Sequence, residues 1–139
     1  MEIEVMFSSF QFTNPSLERI DYSINKEFIA DGVDPISIEI KTNINVEKDK
    51  EAKEAVVSLN MIIGARDNSM PFFIDATESA RFKWEEDSIS GVDIDVLLKN
   101  NAASLLISYL RPIISFITSS SNYPAYHLPY INLKDSPQN

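Results

Sequence analysis

The amino-acid sequence predicts an α+β domain, an antiparallel sheet of four to five strands followed by one long helix packed on one face. Three features carry that expectation. Long stretches before residue 86 alternate apolar and polar side chains, the period of a half-buried strand. Two of these runs are joined by a tight polar turn, the mark of an antiparallel hairpin. Beyond residue 93 the apolar period changes to 3-and-4 spacing, that of an amphipathic helix. At 139 residues one domain with a sizeable core is expected, its sheet over about 1–86, its helix over about 93–120 and an extended tail over 121–139.

At the N-terminus Ile3, Val5 and Phe7 alternate, then Phe10 and Phe12, with a break at Asn14-Pro15; Ile20, Tyr22 and Ile24 resume the pattern. Residues 30–35 hold Gly32 and Pro35 and suit a turn or crossover loop. Residues 36–46 set Ile36, Ile38, Ile40, Thr42, Ile44 and Val46 against Ser37, Glu39, Lys41, Asn43 and Asn45. The mixed-charge run at 47–54 is expected to be a solvated loop. A strand over about 55–65 places Val57, Leu59, Met61 and Ile63 on one face. Arg66-Asp67-Asn68-Ser69-Met70 then has turn chemistry, since Asp, Asn and Ser bond nearby backbone. The following run alternates Phe72, Ile74, Ala76, Ala80, Phe82 and Trp84 with Asp75, Thr77, Ser79, Arg81 and Lys83.

Polar residues 85–91 end the sheet. From Ile94 one wide apolar stripe runs through Leu97, Leu98, Ala102, Leu105, Leu106, Tyr109, Leu110, Ile113, Ile114 and Ile117. Asp93 and Asp95 suit its first turn, where carboxylates meet free amides and the positive dipole end. Pro112 lies inside it and is expected to kink it or to cost about 3 kcal/mol. Ser119-Ser120-Ser121 ends the helix, and a tail with Pro124 and Pro129 is expected to be extended.

Composition narrows the function. Twenty-one acidic against 12 basic residues leave a net charge of −9, which repels phosphate backbones and argues against nucleic acid as a partner. Without cysteine there is no disulfide, thiolate nucleophile or thiolate zinc site. One histidine, His127, leaves little for triads or metal centres. No basic start and apolar run opens the chain at Met1-Glu2-Ile3-Glu4. The apolar stretch 102–118 is interrupted by Ser104, Ser108, Arg111, Pro112 and Ser115, so membrane insertion is not expected. The expectation is a soluble cytoplasmic protein.

Candidate catalytic groups read better as structure. Asp93-Ile94-Asp95 lacks the ligand-rich loop a divalent cation needs and fits helix capping. Glu85-Glu86-Asp87 reads as a solvated connection, and His127 as a packing or surface residue in a tyrosine-rich tail. The serines at 119–121 have no nucleophile-elbow context, and Gly32, Gly64 and Gly91 stand too far apart for a phosphate loop. No enzyme and no cofactor is expected. What stands out is apolar surface, and Phe73 above all, which by alternation falls on the polar face beside Asp75.

Leu105-Leu106-Ile107-Ser108-Tyr109-Leu110-Arg111, followed by Tyr123-Pro124, Leu128 and Ile131-Asn132-Leu133, resembles the SecB protein-export chaperone family. There a helix with a central tyrosine and arginine precedes an aromatic-Pro step and a tail containing leucine and proline. Pro71-Phe72-Phe73-Ile74-Asp75-Ala76 resembles the family's aromatic-apolar-acidic strand. The likeness spans about 59–133 and rests on the order of these motifs.

The resemblance implies a cytosolic holdase for unfolded or preprotein polypeptides, assembled as a homo-oligomer (dimer or tetramer) with helices between sheets. It implies that Phe72, Ile74 and Ala76 face the oligomer interface, while Phe73 and Asp75 lie on the outer face that meets the translocase motor SecA. Side-chain type and position nominate Trp84, Phe116, Tyr123, Tyr126 and Tyr130 as peptide-binding residues. Family members continue past the tail into a second helix and a SecA-docking extension, whereas this sequence stops at Asn139. The alternative is therefore a dedicated interaction module or chaperone for one partner, such as an antitoxin, without a general export role.

Overall fold

The computed structural model describes residues 10–30, 36–49, 51–85 and 94–131. Five strands, β1 (Phe10–Phe12), β2 (Ser16–Ile24), β3 (Ile40–Asp49), β4 (Glu54–Gly64) and β5 (Phe72–Trp84), form one antiparallel sheet. One helix, α1 (Ile94–Thr118), follows them among the described residues. The expected alternation over 3–7 and the expected loop at 31–35 lie outside the described residues.

Strand β5 is the axis of the sheet. It pairs with β4 along its length, and β3 pairs with β4 to close that edge. On its other side β5 pairs with β2 over Phe72 to Ser79 and with β1 over Phe82 to Trp84. β1 and β2 thus act as one strand interrupted near Pro15, which has no N–H to give to a ladder. Thr13 still donates its N–H to the Arg81 carbonyl at 3.0 Å.

Cross-strand partners share a face, so the registers assemble rows across the sheet. Tyr22, Ile74, Ile63 and Ile40 form one row, and Ile20, Ala76, Met61 and Thr42 the next. This face is covered by α1, whose buried residues include Leu98, Ala102, Ala103, Leu106, Leu110 and Ile114. Each large aliphatic side chain taken fully out of water here contributes about 1.5–3 kcal/mol.

The charged run at 47–54 corrects the expected loop at its ends, while residues 51–53 are the expected turn. Glu47, Lys48 and Asp49 continue β3 and Glu54 opens β4. Composition suggested solvent, yet a two-faced antiparallel sheet accepts charges on its outer side. Glu54 there meets Arg81 at 2.9 Å and Lys83 at 3.4 Å, and the Arg81 hydrogen bond above all holds its carboxyl below the ordinary value. Lys48 pairs with Asp95 at 2.6 Å and ties the helix start to the end of β3.

Gly64 ends β4 with φ +77, a left-handed conformation that glycine adopts without penalty. A Cβ there would collide with the Phe72 carbonyl oxygen. The turn that follows is latched by Asn25, whose Nδ2 lies 2.7 Å from the Ala65 carbonyl, 2.7 Å from that of Asp67 and 2.6 Å from that of Met70.

The helix departs from a plain α-helix over Leu97–Asn101, a π-type turn. It passes through Pro112. The bond that proline removes belongs to the Ser108 carbonyl, and both residues are on the exposed side, where the carbonyl is open to solvent. By length and composition alone its 25 residues could cross a membrane, a test that the core helix of a soluble protein also passes.

Candidate functional site

The chain turns back at the end of α1, and a buried threonine organises the reversal. Thr118 donates its hydroxyl to the Ile114 carbonyl at 2.7 Å and accepts the Tyr126 N–H at 2.8 Å. Ser121 donates to the Thr118 carbonyl at 2.9 Å and accepts the Tyr123 N–H at 3.1 Å. Tail residues then retrace the helix antiparallel. Tyr126 lies beside Thr118, the Leu128 carbonyl accepts from Arg111 at 2.9 Å, and Tyr130 reaches the level of Ser104 to Ser108.

The tail is anchored by packing as well. Leu128 is buried in the core, and the Tyr126 ring packs on Phe72 with centroids 5.6 Å apart. Burial also pushes the Tyr126 phenol up from its usual value. The Tyr123 ring meets Phe28 edge-on at 6.0 Å.

Between the returning tail and the helix lies a groove of about 180 Å³, lined by Ser104, Ile107, Ser108 and Arg111 on one side and Pro129, Tyr130 and Ile131 on the other. Its walls are largely apolar and carry one guanidinium. Chemically it can take an apolar side chain and satisfy a polar acceptor beside it.

The five residues nominated for peptide binding scatter over this region. Tyr130 is in the groove wall and 85% exposed. Phe116 is on the helix surface and 77% exposed, too much to be explained by the chain's own core. Tyr123 and Tyr126 support the tail from beneath. Trp84 is 9% exposed and part of the core cluster at the far end of β5. Of the other candidates, Asp95 is in the first helical turn and His127 in the returning tail, so they do not meet; Asp93 and Glu86 lie outside the described residues. No cluster of three potential metal ligands occurs among the described residues.

The sheet residues assigned from the resemblance separate cleanly by face. Phe72, Ile74 and Ala76 are buried on the helix-covered side. Phe73 and Asp75 are on the outer side and half-buried. The oddity of an aromatic among polar neighbours has a local cause. The Arg66 guanidinium lies 4.0 Å above the Phe73 ring, a cation–π contact. Asp75 faces Asp21 across β2 and β5. Arg19 bridges the two carboxylates at 3.3 and 3.9 Å, and Asn60 donates to Asp75 at 2.7 Å.

One buried polar residue escaped the sequence reading. Glu78 is in phase with Ala76 and Ala80, so it points into the core, in a row with Leu17, Leu59 and Ile44. It is 2% exposed, and its Oε2 has no hydrogen-bond partner among the described residues. Desolvation raises its carboxyl. The signal was available as a charged residue at an even-numbered position of an otherwise apolar series.

The fold is SecB-like. No protein-family model and no curated protein matches the sequence. Among solved structures, the chain is similar to the SecB-like chaperone Rv1957 of Mycobacterium tuberculosis, solved in complex with a ChAD peptide from the antitoxin Rv1956 HigA1. The TM-score is 0.69 at 14% identity, covering 88% of this chain and 90% of that one. A protein of unknown function from Streptococcus agalactiae aligns with TM-score 0.46 at 16% identity, over 87% and 97% of the two chains.

Proposed function

We propose that this chain is a polypeptide-binding chaperone that holds an extended segment of another protein between α1 and the returning tail. The observation that carries this reading is the groove itself, an apolar slot walled by the exposed ring of Tyr130 on a SecB-like fold; Phe116 adds a second exposed ring elsewhere on α1. Holding needs no catalytic group. Each Å² of apolar client surface covered contributes about 25 cal/mol, and a client with several such segments gains from many weak contacts with broad sequence tolerance. In this reading Tyr130 and Phe116 touch the client, and Tyr123 and Tyr126 hold the tail against the sheet. Trp84 contributes through the core.

Phe72, Ile74 and Ala76 would influence a homo-oligomer only indirectly, by setting how α1 sits on the sheet. Phe73 and Asp75 are the proposed contacts of a SecA-like partner on the outer face. The site of action is the cytoplasm.

A second reading is supported by the antitoxin peptide bound to the M. tuberculosis neighbour: a chaperone dedicated to one partner of that kind. Binding of the purified protein to a chemically unfolded, slow-folding polypeptide separates the two, with the folded form as control and light scattering for the native mass. Binding of the unfolded form alone supports a general holdase. No such binding, with one dominant protein recovered in a pull-down, supports the dedicated role. No binding of the unfolded form and no protein recovered in the pull-down would sink both readings.

A further inference from the structure

We infer that the groove between α1 and the tail selects segments in which a carboxylate sits among apolar residues, and that Arg111 is the residue that reads it. The inference rests on the groove being a polypeptide site. Among the described residues Arg111 is the one charged side chain lining it, a local positive charge acting against the overall field of a chain of net charge −9. It forms no ion pair among the described residues. Its one hydrogen bond among the described residues, from one terminal nitrogen to the Leu128 carbonyl at 2.9 Å, fixes the guanidinium at the groove and engages one of its five N–H donors.

The surroundings make a carboxylate the fitting occupant. Ile107, Pro129 and Ile131 offer only apolar contact, and Ser108 already donates its hydroxyl to the Leu105 carbonyl. A segment bringing an anion meets a forked donor already held in place, which suits a carboxylate better than a neutral amide. A segment bringing a lysine meets like charge. From Ser104 to Arg111 the helix rises about 10 Å, the length of about three extended residues. The recognised unit is therefore short, an apolar residue with an acidic neighbour one or two positions away.

The test uses the full chain and three fluorescein-labelled peptides sharing a Leu-X-Leu centre, with X as Asp, Asn or Lys, read by fluorescence anisotropy. The Asp peptide is expected to bind about five-fold more tightly than the Asn peptide, with the Lys peptide weakest and the differences narrowing at high salt. Arg111→Lys keeps the order, Arg111→Gln removes it and Arg111→Glu reverses it. Equal binding of all three peptides, or an Asp preference that survives Arg111→Gln, overturns the inference while leaving the groove a peptide site. No binding of any peptide, together with a changed particle mass in Arg111→Glu, assigns the groove to a second copy of the chain and overturns it too. No binding with unchanged mass refutes the peptide-site reading underneath it.

Discussion

Replacing Glu78 by methionine is expected to stabilise the protein, and more so as the pH rises. The carboxylate stands between Leu17 and Leu59 on the helix-covered face, and its Oε2 has no partner among the described residues. A buried polar group left unsatisfied costs about 1–3 kcal/mol, and a charged one more. Methionine is unbranched and of similar length, so it fills the site without overpacking. A gain of about 1–3 kcal/mol at pH 8 follows. Because burial raises the folded-state pKa above the unfolded value, the native state holds its proton more tightly. Below the unfolded value, 4.5, both states are protonated and the ionisation penalty is absent. It grows as the pH passes through the unfolded and then the folded pKa, and is full above both.

Urea unfolding of wild type and Glu78→Met from about pH 4 to pH 8 measures this directly. Glu54 and Asp67 act with the opposite sign. The hydrogen bond from Arg81 and that from Ser69 lower their carboxyls, so their stabilisation is lost as the pH falls. Both are present in the two proteins, and the difference between the curves isolates Glu78. A variant less stable at pH 8, or a difference independent of pH, would refute the assignment of an unpaired buried carboxylate.

Three further outcomes are expected. Gly64→Ala should lower stability by about 2–4 kcal/mol, from the left-handed backbone and the collision with the Phe72 carbonyl, seen as a lower urea midpoint. Thr118→Val removes the acceptor of the Tyr126 N–H and should cost about 1–3 kcal/mol; faster proteolysis within 119–131, with hydrogen exchange in β4 and β5 little changed, would mark the loss as local to the tail. Tyr130→Ala should shift stability by less than about 0.5 kcal/mol yet weaken binding of an unfolded client several-fold, measured by anisotropy.

Much of the fold was legible in the sequence because period-2 and 3-and-4 spacings survive without knowledge of neighbours. The run 72–84 announced both its strand and its faces, including Phe73 on the outer side. Where composition was used in place of register the reading failed. The charges at 47–49 and 54 suggested a loop, but their cross-strand partners in β4 and β5 make them strand residues. Glu78 went unnoticed because the apolar members of its series were traced around it. The groove was the least legible feature. Tyr130 could be nominated from its type, but Arg111 and Ser104 meet the tail only because Thr118 reverses the chain, a contact with no periodicity to betray it.

The antiparallel return of the tail gives the groove two walls of unequal stiffness. The helix wall is packed on β3, β4 and β5, and shifting it means disturbing the core. The other wall is a strap, without a sheet ladder of its own, anchored by Thr118 at one end and by Leu128 further along. Its prolines hold φ fixed and keep it extended, so any spreading or tightening falls to the residues between them while the domain stays folded. The slot would then adjust its width to differently sized side chains at little energetic cost, and a partner that pressed on the strap would alter the grip without touching the sheet.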